Sequence, residues 1–554
     1  MEGSKQKVFV LGFDGATMDF IKPMVEEGQL PNMARLMEGG AFGKLRSVIP
    51  PNSAPAWVSF ATGKNPAKHG VYTFFTTDPG KYQKVLVNSL SVRARTVWDL
   101  LGDHKRYVAV VGIPITYPPK PVNGVMISGL PIPSEKSTFT YPSTLHAELL
   151  VNCGEYVLPQ SYMRRFMRRD LINALIEIGR YTDSKKQAVL YLMDTRPWDF
   201  FAVVFYTTDV IQHYTLRFQD EQYCRTHRRD ADKLKDLIPQ VYQKMDKVLG
   251  EIMSRLDDDT TLVVMSDHGG HRQESRFYVN RWLAREGYQT LKQERWYHKL
   301  QIARPRLGDI ARRLGVPKIC PGPLKKVRVF VPRIAHRGIA ATIDWQRTRA
   351  FADITTSPVF ITINLKGRQH HGLVDGQVEY EQLRKEIIEG LMPQRDHLGR
   401  PIFDRIYKRE EIYNGPYLDE APDIEMETIE RRVRLMKDLA PGNLVERPAV
   451  PMGMHHMDGV VFLHGKHIRP GQEIFGAEIV DITPTVLHLM GLPIPEDMDG
   501  HVLSDALNPV WLDANPVQTQ AASPEEGISA PCDEEMSEEE KQRIESELEA
   551  LGYI

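Results

Sequence analysis

The sequence predicts an α/β fold: a mostly parallel sheet flanked by helices, with an inserted α+β cap. Three observations carry this. Residues 7 to about 285 alternate between apolar runs of strand length and segments with helical periodicity. Those runs are apolar throughout, as strands buried on both faces are. From about 288 to 445 the alternation breaks, and it resumes near 446.

The first strand is Lys7-Val8-Phe9-Val10-Leu11-Gly12, and it ends in Phe13-Asp14-Gly15. Next, Pro50 to Gly63 reads as a helix. Ser53 stands where an N-cap residue would, Pro55 lies in the first turn and Gly63 near the end. Tyr107 to Gly112 and Phe200 to Tyr206 are further buried-strand runs. If a helix begins near Thr208, Asp209 and His213 lie one turn apart on one face. After Pro239, Val241, Met245, Val248, Leu249, Ile252 and Leu256 line one side of a helix. The run Thr261 to Met265 then delivers Ser266-Asp267-His268-Gly269.

The insert opens with a basic stretch, Arg295 to Arg337, holding twelve Lys/Arg against one acid, Asp309. It reads either as a solvated cap surface or as a lid drawing in an anionic substrate. Val359 to Leu365 reads as a strand and Tyr380 to Leu391 as a helix. In the resumed core, Gly453-Met454-His455-His456-Met457-Asp458-Gly459 precedes the strand Val460 to Leu463. The tail from about Asp513 is rich in Ser, Pro, Glu and Ala, and Ser537 caps a terminal acidic helix. The expected organisation is core over 1–287, cap over 288–445, core again over 446–510, and an acidic tail over 511–554.

Strand ends carrying Asp14, Asp209 and Asp267/His268 give the fold its chemistry. In open α/β sheets, ligands bind beyond the carboxyl ends of the strands. Each site alone has a bland reading: an Asp-Gly turn, a surface pair, a hydrogen-bonded Asp-His. Together, carboxylates and imidazoles at three strand ends are a donor set for a divalent cation such as zinc or manganese. Ser53 is either a plain helix cap or a hydroxyl activated as a nucleophile beside such a cation.

Composition narrows the alternatives. The formal net charge of −2 offers no global field for nucleic acid. The four cysteines, Cys153, Cys224, Cys320 and Cys532, lack metal-site spacing and suggest no disulfide framework. The chain runs from Met-Glu-Gly-Ser-Lys directly into its first strand, and no apolar run is long enough to span a bilayer. A cytoplasmic location is expected.

The motifs resemble, in order, the alkaline phosphatase superfamily, and within it the type I phosphodiesterase/nucleotide pyrophosphatase group. They are Gly12-Phe13-Asp14-Gly15, Leu30-Pro31-Asn32 with Leu36, Ser53, Thr62-Gly63 through His69-Gly70, Asp209/His213, Asp267/His268, His455 and Asp481-Ile482-Thr483-Pro484-Thr485. The resemblance implies two divalent metal ions, zinc or manganese. Asp14, Ser53, Asp267 and His268 match the ligands of one; Asp209, His213 and His455 match those of the other. His455 is preferred over His456 because it precedes Asp458 by the interval of the family's His-x-x-Asp element.

The resemblance further implies a phosphohydrolase acting on phosphodiester or nucleotide-like substrates through a Ser53 phospho-enzyme; a lipid-headgroup substrate is what the basic stretch, read as a lid, would suit. One position departs: where nucleotide pyrophosphatases carry a phosphoryl-contacting Asn, Phe74 stands here, followed by Phe75. Mono- against diester preference is therefore open, and a phosphomutase, a phosphotransferase and a phosphomonoesterase remain alternatives. A sulfatase is disfavoured, since Ser53 lacks the Cys/Ser-x-Pro-x-Arg context. A binding protein on a retired scaffold is disfavoured by the complete ligand set.

Overall fold

A computed structural model describes residues 6–78, 83–167, 171–292, 342–352, 358–522 and 537–551. The basic stretch 295–337 lies outside the described residues, as does most of the acidic linker before the terminal helix.

The central sheet has nine strands. In chain order they are β1 (Lys7–Phe13), β2 (Ala41–Arg46), β3 (Val108–Val111), β4 (Gly124–Ile127), β5 (Thr140–Tyr141), β6 (Phe200–Phe205), β7 (Thr260–Met265), β8 (Asp458–His464) and β9 (Gln472–Glu478). Their spatial order is β9-β2-β8-β7-β1-β6-β3-β4-β5. β1 is central and pairs in parallel with β6 (Gly12 opposite Val204) and with β7 (Gly12 opposite Met265). Only β5, at one edge, and β8 run against the rest.

Alternate residues of each central strand enter two different cores. Val8, Val10, Val204 and Val263 face one; Phe9, Leu11, Phe205 and Leu262 face the other. The first core is closed by helices Ser53–Thr62, Val97–Asp103 and Ile482–Leu489, the second by Met18–Glu26, Pro31–Gly39 and Leu237–Met253. Burial on both faces explains why these strands read as unbroken apolar runs.

Strand direction positions the site. β1, β6 and β7 are parallel, so Asp14, Asp209 and Asp267/His268, which follow them, emerge at one edge of the sheet. β8 is antiparallel to β7, with Val461 opposite Met265. The start of β8 therefore lies at that same edge, and His455 immediately precedes it. A short ribbon of Gly269–Arg272 with Gly453–His456 sets Gly270 opposite His455 and ties the two ends together.

Between β7 and β8 the chain builds a third core, on a four-stranded sheet (Ala350–Ala352, Ile361–Ile363, Phe403–Lys408, Ile424–Thr428) backed by helix Gly376–Leu391. The terminal helix Glu538–Leu551 buries Ile544 and Leu548 in the first core, close to helix Gln160–Met167. Its start is the reciprocal cap expected from the sequence: Glu540 N donates to Ser537 Oγ, and Ser537 N donates to Glu540 Oε2. Among the described residues no helix is long and apolar enough to cross a membrane.

Candidate metal centre and nucleophile

The structure brings the expected ligand residues together as two groups in one place: Asp14, Asp267 and His268, and Asp209, His213 and His455. Ser53 joins the first group. Its Oγ lies 3.2 Å from His268 Nε2 and 3.5 Å from Asp14 Oδ1. The groups touch each other, the His268 and His455 rings stacking at 3.8 Å between centroids.

Ser53 is not the helix cap. Asn52 is, its Oδ1 accepting from Ala54 N, and Ser53 is the first helical residue. Asn and Ser both suit an N-cap, so the sequence left the register one residue open. With Asn52 in that role, the Ser53 hydroxyl turns toward Asp14 and His268. Four residues on, Trp57 Nε1 donates to Asp14 Oδ2 at 3.1 Å. The sequence reading missed Trp57; its i+4 spacing from Ser53 was the available signal.

Helix Thr207–Thr215 follows β6 directly and places Asp209 in its first turn and His213 in its last. Their side chains meet at 3.2 Å, and His455 Nε2 lies 3.7 Å from the same Asp209 oxygen. The close approach needs glycine at residue 15. Gly15 has φ +71°, and a Cβ there would lie 2.7 Å from Asp209 Cβ. His456 belongs to neither group; its Nδ1 accepts from Asp458 N at 3.2 Å. Phe74 is fully buried in the same core as Trp57.

The donor atoms suit a cation. His213 Nδ1 lies 3.0 Å from Gly453 O, His455 Nδ1 2.9 Å from Pro51 O, and His268 Nδ1 3.0 Å from Gly269 O. A carbonyl only accepts, so each Nδ1 donates, and Nε2 is the ring nitrogen that each histidine could offer a cation. His213 Nε2 and His455 Nε2 lie 3.0 Å apart, so one ion could reach both. Asp267 Oδ2 is buried with no hydrogen-bond partner among the described residues. Carboxylate and imidazole together are the chemistry of a zinc- or manganese-type site.

Electrostatics point the same way. Burial, reinforced by Asp267 and Asp209, pushes the Asp14 carboxyl well above the ordinary value. Burial also raises Asp267, against the pull of His268. At Asp209 burial again pushes upward, but His213, His455 and His268 outweigh it and hold the carboxyl below its usual range. Burial and the neighbouring His268 keep His455 well below the ordinary imidazole value. Three buried carboxyls in one place call for a counter-charge.

Residues 8–458 match the sequence model of the type I phosphodiesterase/nucleotide pyrophosphatase family. The chain belongs to that family. As a member it is a metal-dependent phosphoric ester hydrolase of the alkaline phosphatase superfamily. Among solved structures it is similar to an inactive variant of murine ectonucleotide pyrophosphatase/phosphodiesterase 5 in complex with AMP. That match has TM-score 0.50 and 14% identity, and covers 91% of this chain and 100% of the other. It is also similar to phosphonoacetate hydrolase from Sinorhizobium meliloti in complex with phosphonoformate, with TM-score 0.52, 16% identity and coverage of 88% and 96%. At such identities these likenesses are of fold, and they agree with the sheet and flanking helices predicted from the sequence.

Proposed function

We propose that this family member hydrolyses phosphodiesters of nucleotide or lipid-headgroup type through a covalent Ser53 phospho-enzyme. The observation that carries the reading is Ser53 Oγ, wholly buried and within 3.5 Å of both His268 Nε2 and Asp14 Oδ1. Asp14, Ser53, Asp267 and His268 would hold one divalent cation and Asp209, His213 and His455 a second, zinc or manganese. Two such ions supply positive charge to the attacking and leaving oxygens of an in-line displacement.

The protein's own groups do the rest. Attack by Ser53 Oγ forms its bond to phosphorus and breaks the bond to the leaving alcohol, which departs with a proton. Water then attacks the phosphoserine, restoring the hydroxyl and releasing the phosphate product. Trp57, donating to Asp14, keeps that carboxylate aimed at the nucleophile. In this reading the four-stranded sheet and helix Gly376–Leu391 belong to a cap over the core.

Diesters are favoured because a monoester brings an additional negative charge. Among the described residues neither Lys nor Arg forms an ion pair with Asp14 or Asp267, where such a charge would need relief. The test compares kcat/KM for a nitrophenyl monoester with that for a matched diester at one pH and one metal load. The diester is expected to be turned over better. A clear monoester preference, abolished by Arg304→Ala or Arg312→Ala in the basic stretch, would overturn the diesterase assignment.

A further inference from the structure

Gln212 stands between the two ligand groups and coordinates neither. It is buried, and its Nε2 donates to Gly15 O at 2.6 Å and to Thr208 O at 3.0 Å. The first bond reaches the turn that follows Asp14, 197 residues away in the chain; the second stays within the helix bearing Asp209 and His213. Thr208 Oγ1 repeats the connection by donating to Asp14 O.

Two glycines leave room for this residue, one beside its side chain and one beside its backbone. A Cβ on Gly270 would fall 2.2 Å from Gln212 Oε1, and one on Gly453 would fall 2.5 Å from the Gln212 carbonyl oxygen. Those two glycines sit in the ribbon that carries His455, with Gly270 directly opposite it. Gln212 therefore packs against all three segments that supply ligands: the Asp14 turn, the Asp209/His213 helix and the His455 ribbon.

The cost of this placement is visible. Gln212 Oε1 is buried and accepts no hydrogen bond from the described residues. An apolar side chain of equal length would avoid that unpaired acceptor. A residue retained purely for packing has no need of the amide; one that must join Gly15 O to Thr208 O does.

We infer that Gln212 is a positioning residue that holds the two metal-ligand groups in register, so that occupancy of one group prepares the other. The inference rests on the two-cation reading above. It goes further by assigning the coupling between the groups to one side chain that binds no ion. Partners that orient metal ligands typically contribute ~10- to 100-fold to metal affinity.

The experiment titrates metal-free full-length protein with Co2+ alone, following the visible absorption bands and heat, for wild type and Gln212→Met. Methionine preserves length and bulk and removes the amide. The wild type is expected to take up two equivalents. In the variant, the stronger constant should stay within ~3-fold and the weaker should fall ~10- to 100-fold. Both constants unchanged within ~2-fold, or both weakened equally, would overturn the inference while leaving the two-cation reading intact. A wild type that takes up fewer than two ions would overturn that reading, and the inference with it. Should Gln212→Met fail to fold, Gln212→Asn, which keeps the amide but shortens its reach, is read by the same criteria.

Discussion

The two ligand groups are made of similar residues yet solve opposite electrostatic problems. Asp14, Asp267 and His268 are wholly buried; burial pushes both carboxyls toward the protonated form, and Asp267 adds to the push on Asp14. Asp209, His213 and His455 set one carboxylate against two imidazoles, and the acid is stabilised as an anion by its neighbours. The second group is thus close to self-sufficient. The first is not, and the nucleophile is attached to the first. The strongest need for a cation falls where the hydroxyl must be activated.

The largest expected effect separates nucleophile from ligands. Ser53→Ala should lower kcat by several orders of magnitude, since it removes the hydroxyl that the proposed mechanism uses as nucleophile. Metal uptake by calorimetry should survive, because Asp14, Asp267 and His268 remain. A variant with near-wild-type turnover would reduce Ser53 to an ordinary first residue of its helix.

A smaller effect tests the contrast between the groups directly. Asp267→Asn removes a buried carboxyl that adds to the push on Asp14, so the metal-free protein should melt higher than wild type, by a few degrees. His213→Ala should do the reverse, because it leaves a cavity and strips Gly453 O of its donor. Both variants should lose much of the stabilisation that excess metal gives the wild type, which amounts to about 4 kcal/mol at a thousandfold excess over Kd. Calorimetric melts with chelator and with metal check all of these. If metal-free Asp267→Asn melted lower than wild type, the repulsion argument would fail.

Much of this arrangement was legible in the sequence, for a physical reason. A buried parallel strand must be apolar along its length, so the polar residue ending it stands out, as at Asp14 and Asp267. Parallel direction then places those ends at one edge. The antiparallel run of β8, which brings His455 to that edge, is a tertiary fact with no local signature. The one-residue shift between Asn52 and Ser53 reflects two residue types with equal capping power. Gln212 was invisible because a buried hydrogen bond to a distant carbonyl leaves no pattern in the chain, whereas Trp57 left only its i+4 spacing from Ser53. The seam between the third core and the central sheet was equally hidden, since its pairs lie hundreds of residues apart.

That seam supplies the most discriminating prediction. Glu425, on strand Ile424–Thr428, is buried with its Oε1 3.3 Å from Tyr413 Oη, and that hydroxyl donates to Ile49 O at 2.6 Å just before the nucleophile helix. Burial pushes its carboxyl up to about 8, against the pull of Arg431 and Tyr413. If the contrast drawn between the two ligand groups is right, a buried acid with no cation-binding geometry should answer burial by keeping its proton. Its folded pKa then exceeds the unfolded value of ~4.3, so the native state holds a proton that the unfolded chain releases. The stability contributed is complete below ~4.3, declines as pH rises, and levels off above about 8. Glu425→Gln cannot titrate. The stability of the variant relative to wild type should therefore climb steadily between pH 5 and 8 and then plateau, when both are unfolded in urea with chelator present so that the ligand groups cancel. A difference that stays flat over this range would show Glu425 ionised in the folded protein, and burial would not be the force that sets these carboxyls.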